Sequence, residues 1–174
     1  MSAAIGNGVA LFLAWLFAVA GCHKLRAPAY YQRLLDAYLP GRRPALAALF
    51  AVALVELVLA TGLLVPALRN SALVGAAALL SFYALMMAWQ YARGRADLEC
   101  GCAGPDSSLT VGPALIGRNL VCAALAMGAS VSPPGLGGGW AGGMLALVLA
   151  VFLITLYLCA EQIIANAQAM AGDI

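Results

Sequence analysis

The chain has 174 residues, 64% of them hydrophobic and 9% charged, with a formal net charge of +2. Soluble domains carry about 25% charged residues, so this composition excludes an ordinary water-soluble fold and places the chain in membrane lipid. The small net charge, with no basic stripe interleaved with aromatics, argues against nucleic acid as a partner.

Apolar runs long enough to cross a bilayer lie at about 5–21, 45–64, 72–91, 114–130 and 143–163. They predict an all-α polytopic membrane protein, a single domain built as a bundle of four to five transmembrane helices. The fourth run is short and contains glycine. The first run ends in Val19-Ala20-Gly21-Cys22, a pattern that precedes the lipidated cysteine of bacterial lipoproteins. A signal peptide needs a positively charged start, and Met1 to Phe17 contains no Lys or Arg, so the run reads as a retained helix.

Cys22 and the only histidine, His23, follow it. A histidine beside a thiol can lower the thiol's pKa or share a metal with it. Between Pro28 and Pro40, Tyr31, Leu34, Leu35 and Tyr38 recur at helical spacing, which predicts a short helix at the membrane surface. The second run carries Glu56, eleven residues from its start and so about 16 Å along a helix. A carboxylate at that depth must face the bundle interior and find a donor or stay protonated. Arg118 and Asn119, opening the fourth run, are the candidate donors. The connection at Arg69 to Ser71 is too short to separate the second and third helices, which must be antiparallel neighbours. Met86 and Met87 near the end of the third run read as packing residues.

The polar connection from Arg93 to Gly112 concentrates the reactive chemistry in Glu99-Cys100-Gly101-Cys102-Ala103-Gly104-Pro105. Glycine between two cysteines lets the backbone bring the thiols within covalent reach. A small strained disulfide passes on its oxidation readily, so redox exchange is the leading reading. Because each span reverses direction, Cys22, Cys100, Cys102 and Cys159 fall on one face, and Cys122 enters the membrane from that face. Of the nine cations, only Arg69 lies on the other face. The positive-inside rule therefore assigns the cysteines to the cytoplasmic side, whereas disulfide donation belongs on the oxidising side.

From the residues, the first hypothesis is a thiol–disulfide oxidoreductase. Cys100 and Cys102 form the exchanging pair, Cys22 or Cys122 supplies a resolving thiol, and Glu56, His23 and Arg118 tune protons and charge. A quinone is a candidate electron sink, although no sequence feature identifies its site. A soft-metal protein using Cys22, His23, Cys100 and Cys102 for copper or zinc is the second hypothesis, and a non-catalytic assembly factor the third.

Gly21-Cys22-His23-Lys24-Leu25-Arg26, Glu56 with Gly62, Cys100-Gly101-Cys102 with Gly104, and Arg118-Asn119 together cover most of the chain. In these features the sequence resembles the methylamine-utilisation membrane protein family MauE and, more distantly, the DoxX-like membrane proteins. Ala103 stands where the resemblance implies an aromatic residue. The resemblance implies a multi-pass protein of the bacterial inner membrane that works beside a periplasmic thioredoxin-like partner. Its implied client is disulfide-rich, the small subunit of methylamine dehydrogenase.

Overall fold

The computed structural model describes residues 3–38, 45–101, 104, 109–132 and 139–172. Among them run α1 (Ala3–Arg26), α2 (Pro28–Tyr38), α3 (Ala45–Leu64), α4 (Arg69–Ala92), α5 (Pro113–Ser130) and α6 (Gly139–Gly172). All but α2 are long and apolar enough to cross a membrane, and the fold is the expected all-α bundle with five spans. At 18 residues α5 is the shortest of these, about 27 Å of helix against a hydrocarbon core of roughly 30 Å.

Local chemistry sets the helix ends. Pro28 and Pro113 occupy first-turn positions, where a missing N–H costs nothing. Helix α4 stops at Arg93-Gly94: Gly94 takes φ +75°, its N–H bonds to Tyr91 O at 3.0 Å, and Arg95 N–H reaches Gln90 O at 3.1 Å. That pair of bonds is a Schellman closure, which needs a left-handed residue where glycine stands.

Helix α1 is the most enclosed span, packed against α3, α5 and α6, while α4 packs on α5. Phe12, Leu13 and Phe17 of α1 meet Leu73, Ala76 and Leu80 of α4 and Ala126 of α5 in the main core. In lipid there is little hydrophobic drive between helices, so close backbone approach by small residues carries the packing. A Cβ added at Gly8 would stand 2.8 Å from Leu149 of α6, and one at Gly21 3.0 Å from Leu57 of α3. Small residues keep α3 and α4 close near their connecting turn, where a Cβ at Gly62 would meet Ala72 and one at Gly75 would meet Leu59.

Helix α6 runs well past the apolar stretch at 143–163. Its 34 residues make about 51 Å of helix, because nothing between Met144 and Ala171 breaks it: no Gly or Pro occurs there. Hydropathy marks only the part bounded by lipid, whereas backbone hydrogen bonding continues. Cys159 is therefore followed by more than three further turns of α6, on an exposed side of that helix.

Candidate functional site

The connection after α4 is fastened on three sides. Cys100 N–H bonds to Leu109 O at 2.8 Å and Val111 N–H to Leu98 O at 2.7 Å, which makes Glu99 and Thr110 an antiparallel bridge. In such a bridge the middle residues turn their own N–H and C=O outward. Those of Thr110 meet the side chain of Gln168 on α6: Thr110 N–H donates to Oε1 at 3.0 Å and Gln168 Nε2 donates to Thr110 O at 2.9 Å. The C-terminal part of α6 thus closes one edge of the loop. Gln168→Ala should release that edge, leaving two backbone groups to water, and raise hydrogen exchange at Thr110 by about tenfold, the effect of roughly 1.4 kcal/mol of lost protection.

Helix α2 holds the other edge. Tyr30 Oη donates to Glu99 Oε2 at 2.5 Å and Tyr38 Oη donates to Glu99 O at 3.1 Å. The last carbonyls of a helix have no partner within it, and α4 and the loop supply them here: Gln90 Nε2 donates to Tyr38 O at 2.9 Å and Arg95 Nη2 to Ala37 O at 2.6 Å. A cation at this end also suits the helix dipole. Burial first, and then the adjacent Glu99 carboxylate, pushes the Tyr30 phenol well above its ordinary value of 10.0. The folded chain therefore keeps a proton that the unfolded chain loses above pH about 10. The Tyr30 contribution is fully present below that pH and declines as pH rises towards the folded-state value. Tyr30→Phe should cost about 1 kcal/mol at neutral pH and flatten this part of the alkaline unfolding profile, measured by thermal melts across pH.

Within this frame the Cys100 thiol points to Met87 of α4, Sγ to Sδ 3.6 Å, and packs beside a small core of Leu98, Leu109, Val111 and Leu115. Two glycines bring the loop down onto the helices. Gly104 has φ +95°, and a Cβ there would lie 2.5 Å from His23 Nδ1; Gly101 has φ +70°, and a Cβ there would lie 2.3 Å from a methyl of Leu34. His23, beside Cys22 in the last turn of α1, therefore sits under the cysteine loop. Its buried Nδ1 has no hydrogen-bond partner among the described residues. Cys102 and Ala103 lie outside the described residues.

The donors expected for Glu56 are corrected. Lys24 Nζ, at the end of α1, bonds to both carboxylate oxygens at 2.8 and 2.9 Å, and Tyr83 Oη of α4 donates to Oε1 at 2.7 Å. Arg118 instead pairs with Glu161 of α6 at 3.7 Å and lies over the Tyr157 ring at 4.5 Å, while Asn119 donates to Leu115 O within α5. The reason is helix adjacency: α3 packs on α1 and α4, and α5 packs on α4 and α1. The carboxylate is fully buried, as a charge at membrane depth must be unless it reaches water.

A cavity of about 260 Å³ separates α2, α3 and α4 at this end of the bundle, with Cys100 and Gly101 in its wall. Lys24 and Tyr83 also line it. The other cysteines are distributed differently. Cys22 is half-buried beside His23, and Cys122 is packed with Ala123 and Ala126 in the main core rather than with the Cys100 cluster. Among the described residues no three His, Cys, Asp or Glu side chains converge on a metal-sized site. Tyr30, Tyr38, Lys24, Tyr83 and Gln168 are the site residues that sequence reasoning missed. Only Lys24 carried a signal, as the cation nearest the end of the first span.

The profile of the family described as methylamine utilisation protein MauE matches residues 2–132, a stretch that contains α1 to α5 and the whole cysteine loop. The chain is 36% identical over 126 residues to methylamine utilization protein MauE of Paracoccus denitrificans, covering 71% of this chain and 67% of that one. It is 33% identical over 160 residues to the protein of the same name from Methylophilus methylotrophus, covering 88% and 83%. No solved structure gives a significant match.

Proposed function

The chain belongs to the MauE family, and from that premise and the geometry of the loop we propose that it is the membrane component of a thiol–disulfide exchange system serving methylamine utilisation. The observation that carries the reading is the placement of Cys100. It sits in a loop clamped by α2 and α6 and packed on Met87 of α4, at the wall of a cavity and in the same loop as the Gly104–His23 contact. A clamped loop holds a reactive sulfur in one geometry, which is what exchange through a mixed disulfide requires.

In the proposed cycle a thiolate of a periplasmic thioredoxin-like partner, or of the disulfide-rich client itself, attacks the Cys100–Cys102 disulfide. One S–S bond breaks and a mixed disulfide forms; a second thiolate of the attacking protein then releases both cysteines as thiols. The attacking protein loses two electrons and the Cys100–Cys102 pair gains them. His23 is placed to take or return a proton beside the loop, and Cys22, adjacent to it, is the nearer candidate for a resolving thiol than core-packed Cys122. Glu56 acts by holding Lys24, and Arg118 by fastening α5 to α6, so both are positioning residues in this reading.

Cys100→Ser and Cys102→Ser should each abolish disulfide formation in the client, and one of the two should trap a partner as a mixed disulfide on non-reducing gels. Full client oxidation in either variant would overturn the proposal and favour a recruiting role without chemistry. An impermeant thiol reagent applied to intact cells should label Cys100 only after mild reduction. That outcome sets the loop on the periplasmic side of the inner membrane, against the charge asymmetry; protection until lysis would overturn the periplasmic part of the reading. The 3.6 Å approach of Cys100 Sγ to Met87 Sδ favours a second reading, in which two soft sulfur donors hold Cu(I). It predicts that reduced protein retains stoichiometric copper through gel filtration and that Met87→Leu loses it.

A further inference from the structure

A dithiol oxidised again and again in a membrane needs a two-electron acceptor, and the cavity beside Cys100 has the walls for one. Leu34 of α2, Leu49 and Val52 of α3, and Phe82 and Met86 of α4 make it almost wholly apolar. Such a space does not hold water well, since a trapped water needs two to four polar partners. The helices are held together by small residues near their turn, at Gly62–Ala72 and Gly75–Leu59. Phe82, a wall residue of the cavity that lies outside the main core, is 54% exposed, so this edge of the cavity reaches the surface of a helix apolar enough to cross a membrane. At about 260 Å³ the cavity is close to the roughly 300 Å³ lower bound of small-molecule pockets, the size for one ring rather than a polycyclic cofactor.

Its polar groups are few and of one kind. Lys24 reaches the wall with an ammonium that has three N–H groups and gives two of them to Glu56. The Tyr83 hydroxyl at the wall already donates to Glu56, the Tyr31 and Tyr38 rings also line the cavity, and the Cys100 thiol lies in the wall contributed by the loop. An apolar ring with acceptor oxygens on its edge satisfies that pattern, and an acyl chain does not.

We propose that the cavity between α2, α3 and α4 binds the ring of a membrane benzoquinone, with a carbonyl oxygen towards the Lys24 ammonium and the ring near Cys100. The inference rests on the thiol-redox reading above and names its electron acceptor. Cys100 and its partner thiol lose their two S–H bonds and gain one S–S bond, while both quinone carbonyls become the hydroxyls of the quinol. Two electrons and two protons pass from the thiols to the quinone, and no other reactant is needed.

The test uses the full chain in lipid nanodiscs with a decyl-substituted benzoquinone and its azido photolabel. Saturable binding is expected, with the label on Val52 or the Phe82–Met87 segment and displaced by unlabelled quinone. Val52→Trp fills the cavity and should weaken binding about tenfold or more, the scale of losing one apolar wall. Leu54→Trp, on the 63% exposed side of α3, should not. Label spread over α6, equal binding in both tryptophan variants, or no saturable binding overturns the site. Should Val52→Trp not fold, the label map in the unsubstituted chain decides alone. Cys100→Ser should keep the quinone and lose quinol formation by the reduced protein. Bound quinone without quinol formation by the unsubstituted chain overturns the electron transfer and leaves the site standing, whereas client oxidation surviving Cys100→Ser sinks the thiol-redox reading itself.

Discussion

Lys24→Met should cost about 3–5 kcal/mol of stability, the usual loss when one partner of a buried ion pair is removed. Glu56 has no exposed surface, and the Lys24 ammonium bonds to both of its oxygens. Without that ammonium the carboxylate keeps, among the described residues, the Tyr83 hydroxyl at 2.7 Å, in surroundings where a bare charge is costly. Converting both partners, Lys24→Met with Glu56→Met, should recover most of the loss, because apolar replacements of a buried pair are often neutral. The remaining deficit is the hydrogen bond that Tyr83 gives Glu56, about 1 kcal/mol. Thermal unfolding of the parent, the two single variants and the double variant in one detergent reads this directly. A double variant as unstable as the sum of its parts would mean that water reaches the pair and that the clasp between α1, α3 and α4 lies elsewhere.

Gly104→Ala should abolish client oxidation as fully as loss of Cys100 while moving the melting temperature little. Gly104 needs φ +95°, a left-handed conformation that costs an L-residue about 1–2 kcal/mol. Its methyl group would also stand 2.5 Å from Nδ1 and 2.7 Å from Cε1 of His23. An imidazole ring cannot bend, so the loop must lift away from α1, carrying the cysteines out of register. Gly101→Ala meets the mobile end of Leu34 instead and should be milder. Shrinking the ring with His23→Ala in the Gly104→Ala background restores space but not φ, so it should recover loop packing, read by protection of the Cys100 thiol, only in part. Unaltered client oxidation in Gly104→Ala would show that the His23 contact is incidental to function.

Much of this could be read from the residues. The five spans follow from apolar length, and span parity brings the end of the first helix, the cysteine loop and the end of the last helix to one side, where Tyr30–Glu99 and Gln168–Thr110 join them. Pro28, Gly94 and Pro113 punctuate the helices through backbone geometry that each residue carries with it. Cys100 stood out because reactive side chains are scarce in so apolar a chain. The partner of Glu56 did not stand out: Arg118 and Lys24 are both basic residues near span ends, and nothing in the alphabet says which helix will lie beside α3.

The sequence by itself determined the all-α class, the apolar stretches long enough to cross a bilayer and the helix ends that proline and glycine mark, because solvent and local backbone chemistry act residue by residue. Tertiary structure alone decided that Lys24 pairs with Glu56 and Tyr83 donates to it, that Gln168 clamps the loop from 58 residues away, and that α2, α3 and α4 leave a cavity against Cys100. Those features depend on helix adjacency and rotation about each axis. These are set by how small residues let whole helices approach one another, and so are properties of pairs rather than of any one segment.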